Sequence, residues 1–552
     1  MPGWGINAAL GCGGIRKRRR ARICDGTGMM SDAIMQAVTE TELKLPCTPA
    51  DLVALRRHRL LREAFAGLAP RHLRATYYDT PDLRLRAAGF GLRLRRDAAT
   101  GAVRQTLKAA GAGAGLFQRD EWESAVAGEH LDREALAATP LPRILETDDP
   151  AALLQPVFVV EAERLSAPLR VGDAVIEVTL DEGAAIAGTA RTAICEVELE
   201  LLGGKPRDLF ALARKLARKA DLRPGLQSKA ETGYALAMGA QPAPVRAFDA
   251  GLHPDISVGE AFRAIARASL RQVLANEPAL VQMRDPGAVH QMRVALRRLR
   301  AAVALFRPAI RDRHRKAITA ELRWLARSLG DARELDVFLG TDVARVRRKR
   351  PKSKDTAALA AHFEGAREEA YARILEILSG PRYRALLFDT LAWIEAGAWQ
   401  GKAGTRKARA MPVALLARDN LARRSKDVRR RARILSSLEV DERHALRLDV
   451  KKLRYAAEFF APVFAARDEK SARRAAKFVK ALAQMQERLG ELNDAATSLS
   501  LTGRLDRNDE AGRRAAKLIE EDHVGRAAES LAAARDACAA FIKAKPFWKE
   551  RD

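Results

Sequence analysis

The chain has 552 residues, too many for one hydrophobic core, so at least two domains are expected. Its five cysteines (Cys12, Cys24, Cys47, Cys195 and Cys538) form no C-x-x-C pair, which argues against a disulfide framework or a thiolate metal site and fits a reducing cytoplasm. The net charge of +27 divides unevenly, with +5 over residues 1–30, −1 over 31–250 and +23 over 251–552, so the C-terminal part is the one expected to meet a polyanion.

Residues 1–35 carry Arg16, Lys17, Arg18, Arg19, Arg20 and Arg22 with no apolar stretch after them. They read as a disordered basic tail rather than a secretory signal, with Met30 or Met35 as alternative starts. No uncharged apolar run is long enough to span a bilayer. From about residue 36 to 202, period-two segments are separated by turn signals such as Asp79-Thr80-Pro81, Gly111–Gly115 and Gly203-Gly204. Helical segments interrupt them near 48–65 and 207–220.

These strands have one ionic face. Glu40, Glu42 and Lys44 alternate with Thr41, Leu43 and Leu45, and Arg93 and Arg95 alternate with Leu92 and Leu94. Arg104, Thr106 and Lys108 follow, then Arg119, Glu121 and Glu123, and finally Glu196, Glu198 and Glu200 between Val197, Leu199 and Leu201. The first and last strands supply mainly Glu, the middle ones mainly Arg and Lys. A tunnel with carboxylates on one wall and cations on the other suits a hard divalent ion together with a chain of phosphates. Two residues along a strand span about 6.6 Å, so Glu40 and Glu42 can point into the same cavity.

Taken together, Glu40-x-Glu42-x-Lys44, Tyr77-Tyr78-Asp79-Thr80, Gly89, Leu92-Arg93-Leu94-Arg95, Thr106-Leu107-Lys108, Asp181-x-Gly183, Glu196-x-Glu198-x-Glu200 and Ser228-Lys229 resemble a CYTH domain over residues 36–238. The resemblance implies an eight-stranded antiparallel tunnel, the triphosphate tunnel metalloenzyme fold. It implies Mg2+ or Mn2+ held by Glu40, Glu42 and members of the set Glu196, Glu198 and Glu200, with phosphates clamped by Lys44, Arg93, Arg95, Lys108, Arg119 and Lys229. Lys44 and Asp181 are the catalytic candidates, Asp181 to orient the attacking water.

Residues 239–254, with Pro242, Pro244, Gly251 and Pro254, read as a linker, and Ser257 with Glu260 as a capping box opening a helical region over 255–545. The basic stretches 345–354 and 402–409 are expected as loops between helices. An internal repeat runs through this region: His290, Arg293, Arg297, Arg298, Leu299 and Arg300 recur 154 positions later as His444, Arg447, Lys451, Lys452, Leu453 and Arg454, and Phe306 and Pro308 as Phe460 and Pro462. At about 100° per residue, His290, Arg293, Arg297 and Arg300 share a stripe about 80° wide, as do His444, Arg447, Lys451 and Arg454. No Glu interrupts either stripe.

This half resembles a CHAD domain, the conserved-histidine α-helical domain, through 289–306, Leu329-Gly330-Asp331 to Asp336, 444–460 and Leu489-Gly490-Glu491-Leu492-Asn493-Asp494. The resemblance implies two pseudo-symmetric helical bundles whose basic groove binds inorganic polyphosphate. Lys451 and Lys452 replace the arginines of the first copy, which keeps charge but loses fork-like phosphate contacts.

The expectation is thus an α+β multidomain protein hydrolysing inorganic triphosphate in the cytoplasm, in association with polyphosphate granules. No membrane and no specific nucleic acid is expected, since neither stripe carries an aromatic stacking platform. The alternatives are a non-catalytic granule-binding protein, or adenylate cyclase or thiamine triphosphatase activity in the same tunnel. Ala37-Val38-Thr39 stands where class IV cyclases tend to carry His-Phe.

Overall fold

A computed structural model describes residues 38–109, 116–503 and 510–549; at residues 38–40, 117–119, 493–497, 499, 500, 511, 512 and 515 it describes the backbone alone. The basic tail, both alternative starts and the glycine run 111–115 lie outside the described residues.

Eight strands form the N-terminal unit: β1 (Val38–Pro46), β2 (Arg71–Asp79), β3 (Phe90–Asp97), β4 (Val103–Ala109), β5 (Leu116–Val126), β6 (Gln155–Val171), β7 (Ala174–Ala187) and β8 (Ala190–Gly203). They close into a barrel in the order β1-β5-β4-β3-β2-β6-β7-β8, every neighbouring pair antiparallel. Period two then decides what faces where. Leu43, Leu45, Val197 and Leu199 are fully buried in one cluster with Leu52 and Leu55 of helix Pro49–Arg56 and Leu209 and Phe210 of helix Pro206–Leu216. Leu92 and Leu107 pack likewise against Leu85, Leu136, Leu141 and Leu145. With the apolar faces covered from outside, the ionic faces turn into the barrel.

One end of the barrel interior is apolar. Helix Lys229–Ala237, opened by a Ser228–Glu231 capping box, places Tyr234 edge-on to Phe158 at 5.0 Å, and Phe158 stacks on Tyr77 at 4.6 Å. Gly233 makes this approach possible, because a Cβ there would lie 2.0 Å from the Phe158 ring. Asp79 explains the Tyr77-Tyr78-Asp79-Thr80 motif. Its fully buried carboxylate accepts from the Thr80, Leu85 and Arg86 amides, capping helix Arg84–Ala87, and from the Tyr234 hydroxyl at 2.8 Å.

The C-terminal unit is helical. Helices Val258–Met283, Pro286–Leu305, His314–Ser328 and Lys354–Ser379 are followed, 154–156 residues later, by helices Val413–Ala432, Val440–Ala465, Glu469–Thr502 and Glu510–Lys543. The sequence repeat is therefore a repeat of helices. Its copies meet at Phe306 and Phe460, equivalent positions whose rings are 6.0 Å apart. Between the units, Arg223 donates to Glu277 at 2.6 Å and Arg384 to Asp221 at 2.5 Å. Within residues 239–254, Val245 is held by both ends of the Asn276 amide.

Two local expectations change. The basic stretches 345–354 and 402–409 are partly helical, as Ala344–Lys349 and Arg406–Ala410. Arg345 and Lys349, one turn apart, both reach Asp522, which neutralises charge that would otherwise oppose the turn. The helical segment near 48–65 is two helices, since His58 accepts from the Leu60 amide at 3.2 Å and opens the second, Arg59–Arg62.

Gly183 sits where β7 runs close over β6, and a Cβ there would lie 2.0 Å from the Glu161 carbonyl oxygen and 2.7 Å from Ala162 Cα. Both obstacles are backbone, so Gly183→Ala is expected to destabilise the barrel by about 1–3 kcal/mol. A lower urea midpoint at unchanged slope is the predicted result; an unchanged midpoint would contradict this packing.

Candidate active site in the barrel and basic seam between the helices

The acidic wall is continuous because β1 and β8 close the barrel, with Lys44 in register with Glu198 and Pro46 with Glu196. Asp181 of β7 is in register with Glu196. The result is a group of three carboxylates, Asp181, Glu196 and Glu198, with one ligand atom from each within 4.8 Å of the others. Glu200 does not join it. It lies one rung further along β8, in register with Glu42 and Glu177. Glu42 is buried, 3.4 Å from the Lys44 ammonium. The side chains of Glu40 and Arg119 lie outside the described residues.

Cations fill the space between the carboxylates. Lys229 reaches Asp181 at 2.7 Å, Glu198 at 3.0 Å and also Glu196, while Lys44 pairs with Glu198. Arg164 of β6 donates to Asp181 through Nε (2.8 Å) and Nη2 (2.6 Å), and to Glu198 at 2.9 Å. Asp181 is fully buried inside β7. Arg164 was not singled out from the sequence. Its face of β6 runs Phe158, Val160, Ala162, Arg164, Ser166, mixing apolar and polar groups, so no ionic stripe announces it.

The protonation states follow from this packing. Burial alone would lower the Lys44 and Lys229 ammoniums, but the surrounding carboxylates outweigh it and raise both. Burial alone would raise Asp181 and Glu198. Lys229 and Arg164, joined at Glu198 by Lys44, outweigh it and hold both carboxyls below their ordinary range. At Glu196 burial prevails and holds the carboxyl above that range.

Across the ring, β3 is the strand four places from β8. Arg93 donates to the Tyr77 hydroxyl at 3.4 Å, and Arg95 is pushed down to about 10 by Arg93, burial and Arg164. A cation depressed by other cations marks excess positive charge. Lys108 is paired with Glu121 at 2.8 Å, and Glu123 accepts from Arg104 at 2.7 Å and Thr106 at 3.2 Å.

In the helical unit the two stripes lie on helices Pro286–Leu305 and Val440–Ala465, which contact one another. His290, Arg293, Arg297, Arg300, Arg447, Lys451 and Arg454 are half-buried, whereas His444 is exposed. Arg293 donates to the Ala326 carbonyl at 2.7 Å, and Arg454 lies 3.4 Å from Glu458, which also accepts from Arg298 at 2.7 Å. Among the described residues no carboxylate forms an ion pair with Arg297, Arg300, Arg447 or Lys451, and the Nε atoms of the three arginines are buried without partners. Lys451 is pushed down to about 8 by burial, then by Arg297, Arg447, Arg293 and Arg454. His290 is pushed down to about 4 by burial, then by Arg333, Arg297 and Arg293. Arg300 is lowered by burial and by Arg323 and Arg327, a pair on the next helix that sequence periodicity did not connect to the stripe.

Comparison with known proteins identifies both units. Residues 38–234 match the CYTH domain family and residues 264–502 the CHAD domain family. The chain is 31% identical over 199 residues to the inorganic triphosphatase of Haemophilus influenzae, an alignment covering 36% of this chain and 54% of that protein. The chain thus spans about half the length of that curated relative. The crystal structure of the CHAD domain from the plant Ricinus communis matches with 28% identity and a TM-score of 0.45, over 54% of this chain and 97% of that one. A candidate adenylyl cyclase from Hippeastrum, which shows a dominant triphosphatase activity, matches with 19% identity and a TM-score of 0.26, over 37% of this chain and 98% of its own. The chain is a CYTH–CHAD protein, its CYTH domain preceding its CHAD domain.

Proposed function

We propose that this chain is a metal-dependent inorganic triphosphatase whose helical domain binds inorganic polyphosphate. The observation that carries the reading is the convergence of three carboxylates, Asp181, Glu196 and Glu198, on β7 and β8, with the cations Arg93 and Arg95 on β3 across the ring from β8. The 31% identity to an inorganic triphosphatase supports it.

The donor set fits a hard divalent cation, because carboxylate oxygens are its preferred ligands. Asp181, Glu196 and Glu198 are the residues proposed to hold Mg2+ or Mn2+, with Glu42 on the adjoining strand. The bound ion would polarise phosphate oxygens and the attacking water. Lys44 and Lys229 neutralise the carboxylates and are the groups able to turn to phosphate oxygens. Arg93, Arg95 and Lys108 offset the charge that moves toward the pyrophosphate leaving group. Asp181 has its oxygens taken up by Arg164 and Lys229, so its proposed role is to position those cations and share in metal binding rather than to orient water.

In the helical domain the support is electrostatic. Lys451 and His290 are depressed first by burial and then by the like charges that crowd them, and a bound polyanion would offset that crowding. Polyphosphate supplies regular charge and nothing to stack, matching stripes without aromatic platforms. No helix among the described residues is long and apolar enough to cross a membrane. A cytoplasmic place on polyphosphate granules belongs to the same proposal.

Glu198→Gln and Glu42→Gln are each expected to abolish phosphate release from triphosphate, and Glu198→Gln to reduce the rise in unfolding temperature that Mn2+ gives the parent chain. Full turnover in either variant, or cyclic AMP formed from ATP, would contradict the reading.

Polyphosphate affinity is expected to fall as pH rises above about 8. Bound anion raises the Lys451 ammonium, so its contribution is complete below the free value and is lost between the free and bound values. Binding measured from pH 7 to 10 should show this step in the parent and not in Lys451→Arg. A step retained in the variant assigns it elsewhere.

A further inference from the structure

Two thiols 148 residues apart meet at the seam where the barrel closes. Cys47 follows the last residue of β1, and Cys195 precedes Glu196 in β8. Since Pro46 is in register with Glu196, Cys47 falls opposite Cys195, and its N–H donates to the Cys195 carbonyl at 3.0 Å. Both are free and half-buried, with their Sγ atoms 3.7 Å apart. Directly opposed residues of antiparallel strands have Cα atoms about 4.5–5.5 Å apart, inside the range a disulfide spans. Neither thiol belongs to a group of three potential metal ligands among the described residues.

We propose that Cys47 and Cys195 are an oxidative modification site, joined by hydrogen peroxide into a reversible disulfide that staples β1 to β8. One thiol sulfur gives an electron pair to the peroxide, whose O–O bond breaks to leave a sulfenic acid and water. The second sulfur attacks the sulfenic sulfur and expels hydroxide, which takes the remaining thiol proton and leaves as water. Two thiols are oxidised and one peroxide is reduced. Both thiols are half-buried, which limits oxidant access, so the conversion is slow and requires sustained oxidant. The staple would lie beside Glu196 and close to Lys44, linking the thiols' redox state to the strand pair that carries the acidic cluster. Its bearing on turnover rests on the triphosphatase reading; its formation does not.

The test treats the reduced full chain with hydrogen peroxide, blocks remaining thiols, digests without reductant and maps peptides by mass. The expected product is one peptide pair joined through Cys47 and Cys195, released by dithiothreitol and missing from both Cys47→Ser and Cys195→Ser. The oxidised parent should unfold at a higher temperature than the reduced form, because the cross-link closes a long loop. Recovery of Cys47 and Cys195 as free thiols, as separate sulfinic acids, or joined to Cys12, Cys24 or Cys538 would overturn the proposal. A chain without triphosphatase turnover still gives this mass readout, so failure of the two readings is distinguishable.

Discussion

Everything in the barrel depends on one buried charge network. Lys44, Lys229, Arg164, Asp181, Glu196 and Glu198 occupy a space mostly closed to water, and an isolated charge there would cost several kcal/mol. Each is tolerable only because the others neutralise it. That condition sets the architecture: the strands turn their ionic faces inward, helices Pro49–Arg56 and Pro206–Leu216 cover the apolar faces, and helix Lys229–Ala237 enters at one end to deliver Lys229. The same condition makes the cluster responsive. A divalent cation would compete with two ammoniums for the same oxygens, and each ammonium displaced becomes available to a phosphate.

The helical domain solves the opposite problem. Its seam buries cations beside one another and supplies few anions, so burial and then like charge hold Lys451 and His290 below their ordinary values, and the Nε atoms of Arg297, Arg300 and Arg447 stay unpaired. The helical repeat produces this arrangement by placing equivalent residues near one another, as Phe306 and Phe460 show, with Arg297 among the charges acting on Lys451. The acidic cluster of the barrel is neutralised internally, whereas Arg297, Arg300, Arg447 and Lys451 have no acidic ion-pair partner among the described residues.

Much of this was legible in the sequence because period two is a direct consequence of strand geometry and the 154-residue repeat can be aligned residue by residue. The ionic alternation of β1, β3, β4 and β8 gave the barrel's polar interior, and the paired stripes gave the two basic helices. Arg164 escaped because its strand face is otherwise apolar or small. The choice among Glu196, Glu198 and Glu200 needed the register of β8 against β1 and β7, which periodicity does not contain. Cys47 and Cys195 looked scattered for the same reason, since their meeting depends on which strands close the barrel. The basic stretch 345–354 read as a loop because its helix is stabilised by Asp522, far along the chain.

In the proposed metal site, Lys229 and a divalent cation would compete for Asp181, Glu196 and Glu198. Mn2+ binding to the full chain, followed by the loss of the free-ion paramagnetic resonance signal, tests it directly when the parent is compared with Lys229→Met. Removing the competing ammonium should tighten Mn2+ binding several-fold in a folded variant. Unchanged or weaker binding would show that metal and lysine do not share those carboxylates, and would contradict the account.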